Sequence, residues 1–226
     1  MIPEIETQSA VKIKMFQELK LKEMLSYISE HSTYYKNLFK SENIKPSFIQ
    51  TLEDLAHLPV TTKEDLQQHN NQFICVPNHK IVDYVTTSGT LGEPVIFALT
   101  DKDLDRLAYN EAISFACSGV QKDDVLQLMT TIDRRFMAGL AYFLGSRKLG
   151  SGIIRVGSGI PELQWDTIKK FKPTYLICVP SFLLKLIEFA NQHDISLKDT
   201  GVKGAICIGE PIRNDDFSLN KNQNIL

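Results

Sequence analysis

The sequence predicts an α/β protein: a helical N-terminal region followed by a mostly parallel, twisted sheet flanked by helices. Two observations lead to this fold class. Over residues 7–30 the apolar side chains recur at spacings of three and four, which is typical of a helix, and further helix N-cap signals follow. After a helix that ends near residue 118, strand-like runs alternate with helical patterns over short connections, which indicates a mostly parallel sheet.

Composition narrows the class of protein further. The 226 residues carry a formal net charge of −2, with 43% hydrophobic and 23% charged residues, as in ordinary globular proteins. Without a run of Lys or Arg, we expect neither a nucleic-acid partner nor a membrane surface. No apolar run approaches the ~20 residues that a membrane span requires. The first residues are acidic and lack an apolar signal core, so we expect a cytoplasmic protein.

The four cysteines do not indicate a metal or redox site. They are far apart in sequence, and no pair has Cys-x-x-Cys spacing. Cys178 and Cys207 lie within apolar runs, where a cysteine serves as a small buried hydrophobic residue. The five histidines form no ligand pattern either, so no metal ligand is predicted.

The helical region divides into several segments. The spacing of Val11, Met15 and Leu19 predicts one long helix over residues 7–30. Ser32 or Thr33 is placed to cap a second, short helix. Further N-cap signals, each a hydroxyl three residues before an acid, begin at residues 51 and 62.

A loop rich in hydroxyls and glycine follows, between two strand-like runs at residues 81–85 and 95–99. It reads Thr86-Thr87-Ser88-Gly89-Thr90-Leu91-Gly92-Glu93-Pro94. From composition alone, a simple β-hairpin with a polar loop is the favoured interpretation. The alternative is a phosphate cradle, because glycines let successive N–H groups converge on one anion while hydroxyls add donors.

The remaining pattern alternates between helix and strand. Helices are predicted over residues 100–118, 136–149, 161–171 and 181–192, and strands over 125–129, 153–156, 174–179 and 203–208. Ligands of parallel sheets bind outside the carboxyl ends of the strands. We therefore expect one edge to gather four segments: Thr130-Thr131, Gly157-Ser158-Gly159, Pro180-Ser181 and Gly209-Glu210-Pro211.

The loop resembles the phosphate-binding signature of the adenylate-forming (acyl-CoA synthetase) superfamily, with Leu91 in place of the usual second threonine. The segments Lys172-Pro173-Thr174, Val179-Pro180-Ser181-Phe182 and Gly209-Glu210-Pro211 are similar in order and spacing to those of phenylacetate–CoA ligases. The resemblance implies a ligase that uses ATP to activate a small carboxylic acid and then forms a CoA thioester. An aryl acid is one candidate, since phenylacetate is the substrate of the family named, in phenylacetate catabolism.

The resemblance also implies roles for individual residues. The β- and γ-phosphates of ATP would contact Thr87, Ser88, Gly89, Thr90 and Gly92, and the adenosine would lie by Gly209, Glu210 and Pro211. The acyl pocket would involve Thr131, Phe136 and Gly139, although Phe136 and Met137 could equally pack as core. The implied cofactors are ATP, Mg²⁺ and CoA. No catalytic residue of the family is carried over.

The chain departs from the family pattern in two ways. Glu93 stands where the family often has lysine, which would place an anion beside a triphosphate; Asp133-Arg134-Arg135 could supply the missing positive charge. The family's aromatic-Gly-x-x-Glu segment, hinge and lysine-bearing C-terminal domain are absent. We therefore expect a truncated N-terminal part that is inactive alone, and self-association through an exposed edge of the truncated sheet.

The sequence predicts three regions along the chain and leaves two alternative functions open. Residues 1–80 are the helical region, 81–213 the α/β nucleotide-binding region, and 214–226 a frayed tail. One alternative function is a non-catalytic nucleotide-binding or interaction remnant. The other is a ligase that loads a different acceptor, because the loop does not determine which acceptor is used.

Overall fold

The computed structural model describes residues 2–87 and 94–218. It divides into two units, Met1–Lys102 and Asp103–Leu226. None of the helices in the described ranges combines the length and the apolar character needed to cross a bilayer.

The first unit contains three α-helices, several short 3₁₀ turns and one hairpin. The elements are α1 (Ala10–His31), α2 (Thr33–Ser41), α3 (Lys63–His69), β1 (Asp83–Thr86) and β2 (Ile96–Leu99). Its core cluster is formed by Leu21, Leu25, Phe39 and Ile49. The long helix and the short one after it are confirmed, each within three residues of the predicted ends.

Capping explains where these helices begin. The hydroxyl oxygen of Ser9 accepts the N–H of Lys12 at the start of α1. Ser32 separates α1 from α2: its oxygen accepts the N–H of Tyr35, and its hydroxyl donates to the carbonyl of Gln72. Thr62 and Asp65 form a capping box at α3, so the predicted cap is confirmed there.

The second unit is a parallel four-stranded sheet between helices. Its strands are β3 (Val125–Leu128), β4 (Gly152–Arg155), β5 (Tyr175–Cys178) and β6 (Gly204–Cys207), in the order β4-β3-β5-β6. Its helices are α4 (Asp101–Cys117, which begins two residues before the unit boundary), α5 (Met137–Leu149), α6 (Pro161–Phe171) and α7 (Pro180–Gln192). The predicted fold class is confirmed.

Alternating side chains of the strands build two cores, one on each face of the sheet. Leu126, Leu128 and Ile177 pack in one cluster with residues of α4 and α5. Met129, Leu176 and Cys178 pack in the other cluster with residues of α6 and α7. The period of two along each strand therefore places helices on both faces, as parallel sheets require.

Residues 213–218 form a turn in which Arg213 Nη1 donates to the carbonyl of Phe217. The predicted phosphate-loop residues Ser88, Gly89, Thr90 and Gly92, and residues 219–226 of the predicted tail, lie outside the described residues.

Candidate functional site

All four strands of the sheet are parallel, so their carboxyl ends share one edge. Across that edge the segments follow the strand order: Gly157-Ser158-Gly159, then Thr130-Thr131, then Pro180-Ser181, then Gly209-Glu210-Pro211. The prediction that these four segments meet at one edge is confirmed. The candidate site is this carboxyl edge.

Glu210 lies after β6 and binds the first turn of α7. Its Oε2 accepts the N–H of Ser181 at 2.8 Å, and its Oε1 accepts the Ser181 hydroxyl at 2.6 Å. The Ser181 hydroxyl, followed by the Ser181 N–H, holds the pKa of Glu210 below its usual range. Glu210 therefore stays ionised at neutral pH, with both oxygens engaged at a helix N-terminus, where an anion is favourable.

This pairing fixes the position of the segment predicted to lie beside adenosine. Gly209 has φ of +73°, a left-handed conformation that favours glycine, so the chain turns sharply before Glu210. Ser181 comes directly after Pro180 at the start of α7. The sequence placed Ser181 at this edge but did not identify it as the residue that holds Glu210.

Thr131 and Gly139, two residues predicted for the acyl pocket, lie in direct contact. A Cβ atom on Gly139 would overlap the backbone oxygen of Thr131, so α5 approaches the end of β3 closely only because residue 139 lacks a side chain. The Thr131 hydroxyl oxygen accepts the N–H of Asp133 at 3.0 Å and tightens the turn. Arg134 and Arg135 follow, both with φ of +62°.

Phe136 and Met137 are exposed at the start of α5. Their exposed fractions are 38% and 40%, so they do not pack as core residues. The structure thus places apolar side chains beside Thr131 and Gly139. Nearby, the hydroxyl oxygen of Thr130 is buried and has no hydrogen-bond partner among the described residues.

A buried pair of amide side chains was missed from the sequence. Gln127 of β3 and Gln164 of α6 are both 0% exposed. Gln127 Nε2 donates to Gln164 Oε1 at 2.8 Å, and Gln164 Nε2 donates to the carbonyls of Gly157 and Gly159. No local sequence signal distinguishes a buried glutamine in an apolar run from a glutamine on the surface. The pair becomes visible only once the packing of α6 against β3 is known.

Of the five residues predicted to contact the phosphates, Thr87 is the one that the structure describes. Its N–H donates to the carbonyl of Val95, and its hydroxyl oxygen accepts the N–H of Val95, both at 3.0 Å. These bonds extend the antiparallel pairing of β1 and β2 by one residue and close the base of the loop. The predicted hairpin is confirmed, and the phosphate role of the loop stays a prediction.

The described residues do not contain a protein-built metal centre. No group of three or more His, Cys, Asp or Glu side chains within residues 2–87 and 94–218 could hold a metal ion. Cys178 and Cys207 are register partners on β5 and β6. Burial raises the pKa of the Cys178 thiol to about 12, in keeping with a buried structural cysteine.

Comparison with known proteins gives the class first. The chain superposes with a TM-score of 0.83 on a crystal structure of 2-hydroxyisobutyryl-CoA ligase in complex with 2-HIB-AMP and CoA. Sequence identity is 25%, and the match covers 92% of this chain and 46% of that one. The fold is that of the N-terminal domain of adenylate-forming ligases. None of the protein-family models searched matches the chain.

The curated relatives identify the branch of that class. The chain is 30% identical over 210 residues to the phenylacetate–coenzyme A ligase of Thermus thermophilus, and 31% identical over 186 residues to that of Escherichia coli. These matches cover 92% and 81% of this chain, but 47% and 42% of the relatives. The chain is related to the phenylacetate–CoA ligases and spans about half their length. The resemblance predicted from the sequence is confirmed.

Proposed function

We propose that this chain supplies the nucleotide- and acyl-binding part of an ATP-dependent, AMP-forming carboxylate–CoA ligase. The observation that carries the proposal is the Ser181–Glu210 pairing at the carboxyl edge, within segments related to phenylacetate–CoA ligases. The relatives act as CoA ligases, and a solved neighbour is named for its complex with an acyl-adenylate and CoA.

In this proposal, the chain's residues bind and orient two substrates. Thr87, Ser88, Gly89, Thr90 and Gly92 hold the β- and γ-phosphates of ATP through hydroxyl and backbone N–H donors. Gly209, Glu210 and Pro211 border the adenosine. The Thr87 hydroxyl can still donate to a phosphate, because its bond to Val95 uses only its acceptor oxygen.

The chemistry would proceed in two steps. A carboxylate oxygen of the acid attacks the α-phosphorus of ATP, which releases pyrophosphate and leaves an acyl-adenylate. The CoA thiol then attacks the acyl carbon, and AMP leaves with the bonding electron pair as the thioester forms. Activation is needed because a free carboxylate is a poor electrophile. Oriented donors at the phosphates would stabilise the charge that develops there.

The acyl group would lie beside Thr131 and Gly139. It would also lie beside the exposed Phe136 ring and Met137 thioether at the start of α5. Phe136 and Met137 offer apolar contact, and the Thr131–Gly139 approach fixes the turn that carries them. An aryl or small aliphatic acid suits this mixture of apolar surface and hydroxyls. Mg²⁺ beside a nucleotide is held mainly by the phosphates and one or two carboxylates, and no step is assigned to the ion.

A double substitution, Ser88→Ala with Thr90→Val, tests the phosphate loop. Each change removes a hydroxyl donor but keeps the residue's approximate size. We expect the affinity for ATP to fall at least about a hundredfold, since hydrogen bonds to charged groups contribute about 1.5–3 kcal/mol each and two are removed. The affinity for AMP, which lacks the β- and γ-phosphates, should stay unchanged in the same calorimetric titration.

Ser114→Ala is the matched control, because Ser114 is an exposed hydroxyl on α4 that donates within its own helix. Equal losses for ATP and AMP would contradict the assignment of the loop to the β- and γ-phosphates. A second candidate function, a nucleotide-binding module without turnover, is favoured by the acidic Glu93. ATP binding without pyrophosphate release, in the presence of phenylacetate and CoA, would support that module.

A further inference from the structure

Gln127 and Gln164 form a hydrogen-bonded pair inside an otherwise apolar layer. Gln127 lies between Leu126 and Leu128 on β3 and points to the face covered by α6. Its Nε2 donates to both Oε1 and the backbone carbonyl of Gln164, at 2.8 and 3.2 Å. Its own Oε1 is buried without a hydrogen-bond partner among the described residues. Burying amides in this way costs free energy that two leucines would not cost.

The pair is hydrogen-bonded to the loop that follows β4. Gln164 Nε2 donates to the carbonyl of Gly157 at 2.9 Å and to that of Gly159 at 3.1 Å. Gly157, Gly159 and Ile160 all have positive φ, at +83°, +79° and +50°. A Cβ placed on either glycine would meet open space, so side-chain packing does not hold these positions. Apart from the bonds from Gln164, the N–H of Gly157 donates to the carbonyl of Leu128 at 3.2 Å. The two bonds from Gln164 draw the loop's carbonyls inward.

The position of the Gly157–Gly159 loop along the sheet edge indicates which part of the proposed site it borders. It follows β4, whose single neighbour among the described strands is β3, and Thr130-Thr131 lies just after the end of β3. The Gly209-Glu210 segment lies at the far end of the same edge, beyond β5. The loop is therefore adjacent to the proposed acyl side and remote from the proposed adenosine side.

We propose that Gln127 and Gln164 are positioning residues that fix the Gly157–Gly159 loop as a wall of the acyl pocket and thereby select the acid. Gln164 orients the loop, and Gln127 orients Gln164 from β3, the strand that Thr131 follows. This inference rests on the proposed function, because it assumes that an acyl-adenylate binds at this edge.

Gln164→Leu and Gln127→Leu test the inference in the full 226-residue chain. The probes are hydrolysis-resistant phenylacetyl- and 2-hydroxyisobutyryl-sulfamoyl adenosine, with AMP as the reference, in calorimetric titrations. We expect Gln164→Leu to weaken binding of the better acyl probe about tenfold relative to AMP, since two loop bonds are lost. Gln127→Leu should have a smaller effect of about threefold. In this variant Gln164 can still donate to the loop carbonyls, but it loses the hydrogen bond from Gln127 that holds its side chain in place.

Thr167→Val is the matched control. Thr167 is also buried on α6, but its hydroxyl donates within the helix to the carbonyl of Leu163. This variant should leave the ratio of acyl-probe to AMP affinity unchanged. Hydrogen exchange at the Gly157 amide, which donates to the carbonyl of Leu128, should quicken in both glutamine variants and not in Thr167→Val.

The outcomes separate this inference from the proposed function. If the unmodified chain binds neither AMP nor the acyl probes, the proposed function fails and the inference fails with it. If the unmodified chain binds both but each folded glutamine variant keeps the original ratio, only the inference is overturned. Should Gln164→Leu not fold, the ratio measured for Gln127→Leu decides.

Discussion

Glu210 links β6 to the start of α7 through both oxygens of one carboxylate. The Ser181 N–H it accepts is among the helix donors that have no partner within the helix. A charged acceptor satisfies that donor, interacts favourably with the helix dipole and fixes the chain beside Gly209. One side chain thus connects the ends of two strands.

Glu210→Gln should lower the free energy of unfolding by about 1–2 kcal/mol at pH 7, because a neutral amide offers one acceptor oxygen where the carboxylate offers two. The pKa of Glu210 is lowered in the folded protein, so its contribution is present above the ordinary glutamate range. That contribution is lost as the pH falls through the folded-state pKa. Urea unfolding at pH 7 and at acidic pH measures both effects.

The difference between Glu210→Gln and the unmodified chain should therefore shrink toward acidic pH. Glu188→Gln, at an exposed position on the same helix α7, is the control and should change stability by less than about 0.5 kcal/mol. A difference that stays constant with pH would contradict the assigned role of the Glu210 charge.

Residues at strand ends could be predicted from the sequence, whereas buried polar partners could not. Thr131 and Glu210 follow apolar runs, so the end of each run located them at the sheet edge. Gln127 interrupts such a run, and Gln164 lies 37 positions later in an amphipathic helix. Their pairing depends on how α6 packs on the sheet, which no local pattern specifies.

At the scale of elements, the predicted boundaries agree with the structure within a few residues because clear stop signals exist. Gly150 has φ of +91° and ends α5, and Pro161 begins α6 at a position where its missing N–H is not needed. The order of the strands in the sheet could not be predicted, since strand–helix alternation indicates a parallel sheet but not which strands are central. In the structure β3 and β5 are the two central strands.

Gly139→Ala tests how closely α5 approaches the end of β3. Helix propensity alone would favour alanine by about 1 kcal/mol. Overlap with the Thr131 backbone oxygen should outweigh this gain, because backbone cannot swing aside, and we expect a net loss of about 1–3 kcal/mol. Thermal and urea unfolding measure the change.

Lys148→Ala, at an exposed position of the same helix, should leave stability within about 0.5 kcal/mol of the unmodified chain. A Gly139→Ala variant as stable as Lys148→Ala would show that α5 can move away from Thr131 without cost. The proposed acyl pocket would then lack the fixed turn on which it depends.

At the scale of the whole molecule, the fold class and the family relationship could be predicted because they depend on many weak signals that agree. The hydroxyl-glycine loop, the strand–helix alternation and the Gly209-Glu210-Pro211 segment each favour the same type of domain. The described structure has two units, and the chain spans about half the length of its curated relatives. The predicted regions 1–80, 81–213 and 214–226 stay predictions.

The central claim is that this chain binds a nucleotide at the carboxyl edge of the sheet, beside the segment that Ser181 and Glu210 fix. The most direct test is a titration of the isotopically labelled chain with Mg²⁺-ATP, followed by the backbone amide signals in nuclear magnetic resonance spectra. We predict that the signals of Gly209 and Glu210 shift saturably with added ATP and give one dissociation constant. Signals of both residues that stay unchanged at millimolar ATP would contradict the claim.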